Sequence, residues 1–414
     1  MKKRVLFVLV VAFALVFLAV GGAVAAVTEY MVPAVTDFSG SQVEFGKMMV
    51  PLQKAVFSWW NDRTGKELGV KLSLKHYDGR YDSSVIASLW PGILAECKPI
   101  IALGIGGPDA AALQQRLPKD KVPMVWGTGS YGFAWLPNQW IFNVRPLWIQ
   151  EFLAGILWYI EQHPEKKPLR FAFMTSHVAA SMDIVEGLKK YFKEVLEPKG
   201  LATIVAEEYV DMMAVDVSVQ MKKLIDAKAD LVFGPHTTGM MSTYIRACQL
   251  YGVNIPTIAA PHHTIWMFGN AMGTYEPMEG HIVSAAHVSI TDKTSKAYKF
   301  FEVLSKDYGL TEKLWNPSSM MGFCQSIFAV RAVERAARKV GAGKITGQSV
   351  YDAMLAKPFT HEDLMGVLST IAFTKDAPFP TGRDLKAMVE TVKKGKYVLA
   401  TPEWVPIPTD VTKW

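Results

Sequence analysis

The chain has 414 residues, half of them apolar, and a formal net charge of +6. This length provides the mass of two or three domains and ample residues for a large core. The charge is weak, and the sequence has no basic run interleaved with aromatic residues, so nucleic acid is not an expected partner.

The N-terminus has the pattern of a secretory signal peptide. Met1–Arg4 is basic, Val5–Val20 is an unbroken apolar run, and Ala23-Val24-Ala25 provides a cleavage site. We therefore expect residues 1–25 to be removed, no membrane insertion after cleavage, and a mature protein in the periplasm. A retained N-terminal anchor is the alternative, although the apolar run is shorter than most membrane spans. Lys2, Lys3 and Arg4 account for three of the 44 basic residues, which leaves 41 against 38 acidic.

The three cysteines say little about the mature chain. An odd number in an exported protein allows at most one intramolecular disulfide. None of them lies near the cleavage site, which argues against a lipid anchor. The set is Cys97, Cys248 and Cys324.

The first part of the mature chain alternates predicted strands with predicted helices, which indicates a doubly wound parallel α/β unit. The predicted strands are 29–35, 70–74, 99–103 and 122–126, and the predicted helices are 45–61, 84–97 with a kink at Pro91, and a short one from Asp109.

Two successive strands of this unit end in loops with almost no side-chain bulk. Strand 99–103 runs into Gly104-Ile105-Gly106-Gly107-Pro108, and strand 122–126 runs into Gly127-Thr128-Gly129-Ser130. Ligands of open α/β sheets lie outside the carboxyl ends of the strands, where backbone N–H groups can hold an anion. These loops therefore predict half of a small-molecule cleft. The alternative is that their glycines only form tight turns.

A second alternation starts after a boundary at residues 137–146, and two units of similar size imply two lobes that face one another. Ligand sites favour such interfaces. The predicted strands are 169–174, 202–209, 231–234 and 257–260, the predicted helices are 181–196, 218–229 and 240–251, and the strand-end loops are 175–180, 235–239 and 261–263.

The last third contains too few elements for another domain, so we expect it to complete both lobes with more than one crossing between them. Its predicted elements are an extended stretch at 280–290, helices at 294–308, 318–340 and 347–356, and strands at 365–373 and 396–399. The predicted lobes are 26–146 with 279–345, and 147–278 with 346–414.

The order of elements and several local motifs resemble the periplasmic solute-binding proteins of the branched-chain amino acid ABC transporter type. The matching stretches are VTDFSGSQVEFG, IIALGIGGPDAAA, VPMVWGTGS, DIVEGLKKYFKEVL, ADLVFGP and GKYVLATP. The resemblance covers essentially the whole mature chain. It implies a type I periplasmic binding fold, in which two doubly wound parallel-sheet lobes are joined by three crossings and close on a ligand by a hinge motion. It also implies that membrane permease subunits are the partners.

The resemblance assigns the first-lobe ligand contacts to the two small-residue loops. They would be Gly106, Gly107 and Pro108 in one loop, and Thr128, Gly129 and Ser130 in the other. Local turn hydrogen bonds are the alternative role for Thr128 and Ser130. Phe45 matches an aromatic-glycine pair of the first loop, where it would line the pocket or else belong to the core.

The second lobe departs from the amino-acid binders of that family. Ala180-Ser181 replaces their Tyr-Gly pair, and His262 stands where they place an acidic residue that holds the ammonium group. A histidine can donate a hydrogen bond to an anion or stack on a ring, and His236 and His177 could join it. We therefore expect an organic acid with an apolar or aromatic body rather than a zwitterionic amino acid, which stays the alternative.

Other chemistries find less support in the sequence. The adjacent pair His262-His263 with His236 could suggest a metal, but no carboxylate or thiol completes the set. A dinucleotide loop fails because Asp109 stands at the third glycine of G-x-G-x-x-G, and no G-x-S-x-G elbow is present. We expect no cofactor and no catalysis, with an exported α/β enzyme as the competing class.

Overall fold

The computed structural model describes residues 27–127, 135, 138–234, 237–259 and 264–413. Within these ranges the strands form two large sheets and one two-stranded hairpin. The predicted signal peptide lies outside the described residues.

The first sheet has five parallel strands in the order β2-β1-β3-β4-β5. They are β1 Thr28–Thr36, β2 Val70–Asp78, β3 Ala102–Gly104, β4 Met124–Trp126 and β5 Ile141–Asn143. The helices of this part of the chain are α1 Val43–Trp60, α2 Ser83–Cys97, α3 Gly107–Leu113 and α4 Leu117–Asp120. Three-residue strands buried on both faces explain why the sequence reads here as short unbroken apolar runs.

The second sheet has eight strands, with the order β14-β13-β10-β9-β8-β6-β7 and β15 paired to β13. Its parallel part is β6 Leu169–Thr175, β7 Ala202–Tyr209, β8 Leu231–Phe233, β9 Thr257–Ala259 and β10 Ile282–Ala285, and its antiparallel part is β13 Lys386–Lys393, β14 Lys396–Leu399 and β15 Val405–Pro406. The helix before these strands is α5 Trp148–Gln162, and the helices between them are α6 Ala179–Tyr191, α7 Ser218–Asp226, α8 Thr238–Tyr251 and α9 Thr264–Met272. Alternate residues of β6 belong to two different apolar clusters. Phe171 and Phe173 pack in one cluster, and Ala172 and Met174 pack in the other. Both faces of this sheet are therefore covered.

Three further helices return to the first lobe: α10 Lys296–Tyr308, α11 Pro317–Val340 and α12 Gly347–Leu355. They share one apolar cluster with the first sheet. The hairpin strands are β11 Ala372–Thr374 and β12 Ala377–Thr381.

The chain passes between the lobes three times. It leaves the first sheet after β5, returns after β10, and leaves again between β11 and β13. The second crossing pairs with the segment that precedes β11, since the N–H of Val288 donates to the carbonyl of Val367 over 2.8 Å. The α/β class and the two-lobed parallel-sheet architecture expected from the sequence are confirmed.

A buried ion pair joins the first two crossings. The Arg145 guanidinium donates to both carboxylate oxygens of Glu151, each over 2.7 Å, and both side chains are inaccessible to solvent. Glu151 also accepts the N–H of Ala286 over 2.7 Å. The segment after β5 is thereby connected to the segment after β10.

The last third differs from the sequence prediction in three respects. Strand β13 was not predicted, although its pairing with β10 extends the second sheet. Residues 365–371, predicted as strand, form turns and isolated bridges before β11. Strand β10 belongs to the second sheet and α12 packs in the core of the first lobe. The boundaries predicted at 279 and 345 had placed β10 in the first lobe and α12 in the second. The partners of these segments are remote in sequence, so local patterning does not assign them to a lobe.

Candidate functional site

The loop after β1 is organised by a buried carboxylate. Asp37 accepts the N–H groups of Ser39, Gly40 and Gln42. The chain then enters α1, where a Cβ at Gly46 would lie 2.1 Å from the Asp37 carbonyl oxygen. Only glycine allows this approach. Phe45 is half-buried in the first turn of α1 beside that contact.

A second buried carboxylate organises the loop after β3. Asp109 accepts the N–H of Ile105 over 2.9 Å and that of Gly106 over 2.8 Å. Burial raises the pKa of this carboxyl group to about 7. Gly106 therefore already uses its N–H within the protein, whereas no acceptor among the described residues is recorded for the N–H of Gly107. Pro108, at the second position of α3, has no N–H to offer.

The loop after β4 begins in close contact with two helices. A Cβ at Gly127 would lie 2.8 Å from the Met49 methyl group and 3.5 Å from the Met321 carbonyl oxygen. The predicted contacts Thr128, Gly129 and Ser130 lie outside the described residues. Trp135, further along, is 5.0 Å from Phe379 between ring centroids, and Phe379 belongs to a second-lobe cluster. Trp135, which belongs to the chain between β4 and β5 of the first sheet, thus packs against the core of the other lobe.

In the second lobe, His177 lies in the loop after β6. Its exposed ring stacks on Tyr209 at the end of β7, with centroids 4.1 Å apart and planes 16° apart. Because β7 is the edge strand and β8 adjoins β6 on the other side, this stacking directs His177 away from the β8 end. Ala180 occupies the first turn of α6. His236 and His262 lie outside the described residues.

A cavity of about 250 Å³ lies between the lobes and was not predicted from the sequence. Its walls include Trp266, three residues after His263, and Trp315, which precedes α11. Trp266 packs against the first-lobe core although it belongs to α9. The other lining residues are Tyr275, Ile290, Thr291, Lys293, Glu312 and Tyr397. The abundance of tryptophan was the only sequence signal, and it did not separate Trp266 from Trp90 and Trp126, which are buried in the core.

Two of the cavity's aromatic side chains are held by hydrogen bonds at their polar ends. The Trp315 indole N–H donates to the Ile290 carbonyl over 2.8 Å, and the Tyr397 hydroxyl donates to the buried Glu390 over 2.7 Å. Their rings are thereby oriented in advance of any ligand.

Metal-binding geometry is absent from the described part of the chain, where no three His, Cys, Asp or Glu side chains are grouped to hold an ion. Cys97, Cys248 and Cys324 are buried free thiols, so no disulfide links them. In the described ranges, none of the helices combines the length and apolar character needed to cross a membrane.

This architecture, two α/β lobes built on parallel strands and joined by three crossings, defines a periplasmic-binding fold. The sequence model of the periplasmic binding protein family matches residues 29–383. The chain belongs to that family, and the resemblance inferred from its motifs is confirmed.

Solved structures with the same fold are similar along nearly the whole chain. A branched-chain amino acid ABC transporter protein from Thermus thermophilus with bound valine is 16% identical, with 93% of this chain and 98% of that one covered and a TM-score of 0.75. An ABC transporter solute-binding protein from Rhodopseudomonas palustris HaA2 in complex with p-hydroxybenzoic acid is 16% identical, with 92% and 99% covered and a TM-score of 0.69. A fatty acid ABC transporter substrate-binding protein from Thermomonospora curvata is 16% identical, with 93% of both chains covered and a TM-score of 0.70. The comparison with curated proteins finds no match.

Proposed function

We propose that this protein is the extracytoplasmic receptor of an ABC importer and that it binds a small organic acid between its lobes. The observation that carries the proposal is that each lobe packs a tryptophan on the core of the other. Trp266, close after the end of β9, packs on the first-lobe core, and Trp135, beyond the end of β4, packs on the second. A solute held there contacts both lobes and stabilises the closed form.

The preference for an acid over an amino acid rests on the charges of the loops. An ammonium group needs an acceptor, ideally a carboxylate. The two buried carboxylates of the described first-lobe loops, Asp37 and Asp109, already accept backbone N–H groups. In the second lobe the loops supply His236 and His262, whereas His177 stacks on Tyr209 at the edge of the sheet. This set suits a carboxylate ligand better than an ammonium.

The aromatic lining of the inter-lobe cavity favours a ligand with an apolar or aromatic body. Trp266, Trp315 and Tyr397 line the cavity, and aromatic walls of this kind suit such a body. The p-hydroxybenzoic acid complex of the Rhodopseudomonas palustris protein shows that the fold accommodates this class. The valine complex of the Thermus thermophilus protein keeps an amino acid as the second candidate.

Isothermal titration calorimetry on the mature protein, stripped of ligand by partial unfolding and refolding, tests the ligand class. The panel sets benzoate and 4-hydroxybenzoate against valine and leucine. We expect binding of the aromatic acids without binding of the amino acids. Binding of the amino acids alone would refute the organic-acid proposal. Recovery of each bound compound unchanged, checked by mass spectrometry, separates a receptor from an exported enzyme.

The variant His262→Ala tests the contact that distinguishes the two ligand classes. Loss of one hydrogen bond to a charged group weakens binding by about tenfold or more. His163→Ala is the matched control, because His163 is partly exposed just after α5 and contacts Glu165. If His262→Ala and His163→Ala bind the acid equally well, His262 is not a ligand contact.

A further inference from the structure

We infer that Gln325, on α11, is a positioning residue that holds the two first-lobe ligand loops in register. Its buried side-chain amide donates from Nε2 to the carbonyl oxygens of Gly104 and Val125, each over 2.7 Å. Gly104 ends β3 and Val125 is the middle residue of β4. One amide group thus joins the strands that lead into the two small-residue loops. The ligand part of this inference rests on the function proposed above.

Gln325 reaches the strand ends because α11 and α1 pack closely. A Cβ at Gly322 would lie 2.9 Å from the Met49 carbonyl oxygen, so the helices touch there through backbone. Gln325 follows Gly322 by three residues and Gln53 follows Met49 by four, which places both on the contacting faces one turn further along. The Gln53 side chain donates from Nε2 to Oε1 of Gln325 over 2.8 Å.

The hydrogen bonds of this network have one consistent direction. Two carbonyl oxygens can only accept, so the Gln325 atom between them must be the NH₂ group, and its Oε1 must face Gln53. Oε1 of Gln53 lies 3.0 Å from Nε2 of His76 on β2. Burial lowers the pKa of His76 to about 4, so at neutral pH the ring is uncharged and its Nε2–H donates to Gln53. The network therefore runs from β2 through α1 and α11 to β3 and β4.

The consequence concerns the loops rather than the core. After Gly104 the chain forms the turn that Asp109 holds, and after Val125 it passes through Gly127 into 128–130. A ligand carboxylate that contacts both loops requires them at a set separation. Gln325 adds to the β3–β4 ladder a second link between the two strand ends, from the side of α11. The sequence signal was a long polar side chain, Gln325, among the mostly apolar residues of a long helix.

The first test is hydrogen–deuterium exchange of the ligand-free protein. Gln325→Met keeps the side-chain length and removes both donors. We expect amide exchange in peptides covering 104–113 and 124–134 to rise by about tenfold, with little change in β1 and β2. Ser326→Ala is the matched control, because Ser326 is the next residue, is equally buried, and has an Oγ without a partner among the described residues. Gln53→Met removes the donor to Gln325 Oε1 and the acceptor of His76 Nε2–H but leaves both Gln325 donors in place, so it should give a smaller rise in the same two peptides.

Two exchange results would overturn the inference. One is a Gln325→Met profile equal to that of Ser326→Ala, and the other is faster exchange spread evenly over the first lobe. Titration with 4-hydroxybenzoate and valine is the second readout, and whichever probe the wild type binds should bind the Gln325→Met protein more weakly. If the wild type binds neither probe, the proposed ligand classes fail, while the exchange data still decide the role of Gln325.

Discussion

The buried ion pair at the crossings allows a quantitative prediction. Arg145 and Glu151 are both excluded from solvent, and Glu151 accepts two N–H groups of the guanidinium as well as the N–H of Ala286. Glu151→Gln removes the negative charge and keeps the shape. The guanidinium is then buried without a counter-charge.

The expected cost follows from this burial. Removing one partner of a buried pair costs about 3–5 kcal/mol, because the remaining charge stays desolvated. We expect the lower end, about 3 kcal/mol, because the glutamine oxygen can still accept from Ala286. The free energy of unfolding from urea titrations, followed by tryptophan fluorescence and by circular dichroism, measures the loss. Coincident transitions by the two probes would justify a two-state treatment.

Two further variants make the result interpretable. Glu44→Gln breaks the exposed Lys47–Glu44 pair, whose side chains are 62% and 66% exposed, and should cost about 0–1 kcal/mol. The double variant Arg145→Met/Glu151→Met removes both charges of the pair. Its main loss is the acceptor for the Ala286 N–H, which should lower the free energy of unfolding by about 1–3 kcal/mol. A Glu151→Gln loss no larger than that of Glu44→Gln would refute the reasoning that the pair is desolvated.

Two other predictions concern Asp109 and export. Burial raises the pKa of Asp109 from 3.8 to about 7 in the folded protein. Between these two pH values the native state binds one proton more than the unfolded state. The free energy of unfolding therefore falls as the pH rises through this window. Asp109→Asn should remove that fall, so the difference in urea midpoint between the wild type and the variant should change between pH 5 and pH 7. Equal differences at both pH values would contradict the prediction. The proposed export predicts that intact-mass measurement of the secreted protein shows residues 1–25 missing, and retention of the full mass would indicate an anchored chain.

Several features of the site were accessible from the sequence because they depend on neighbouring residues. The apolar runs at 99–103 and 122–126 contain buried parallel strands, as predicted, although these strands are shorter, at Ala102–Gly104 and Met124–Trp126. Gly127 is required by close approach, since a Cβ there would meet Met49. The alternation of strand and helix predicted the two lobes.

Other features depend on partners that the sequence does not bring into view. Strand β13 has a mixed apolar and polar pattern that becomes a strand only beside β10, about a hundred residues away. In the sequence, nothing near Gln325 indicates a partner for its side chain. The packing of α11 against α1 brings its amide to the Gly104 carbonyl. His177 lies in a strand-end loop, where the sequence predicts a ligand contact. Its stacking on Tyr209, however, directs the ring to the edge of the sheet.

The sequence by itself determined the class of this protein, because alternation, strand-end glycines and the N-terminal apolar run are local patterns with local physical causes. The tertiary structure decided which segments complete each lobe, how Arg145 and Glu151 join the crossings, and how one buried amide connects two loops. These depend on close packing between residues remote in the chain, where distances of a few tenths of an ångström determine whether a hydrogen bond forms.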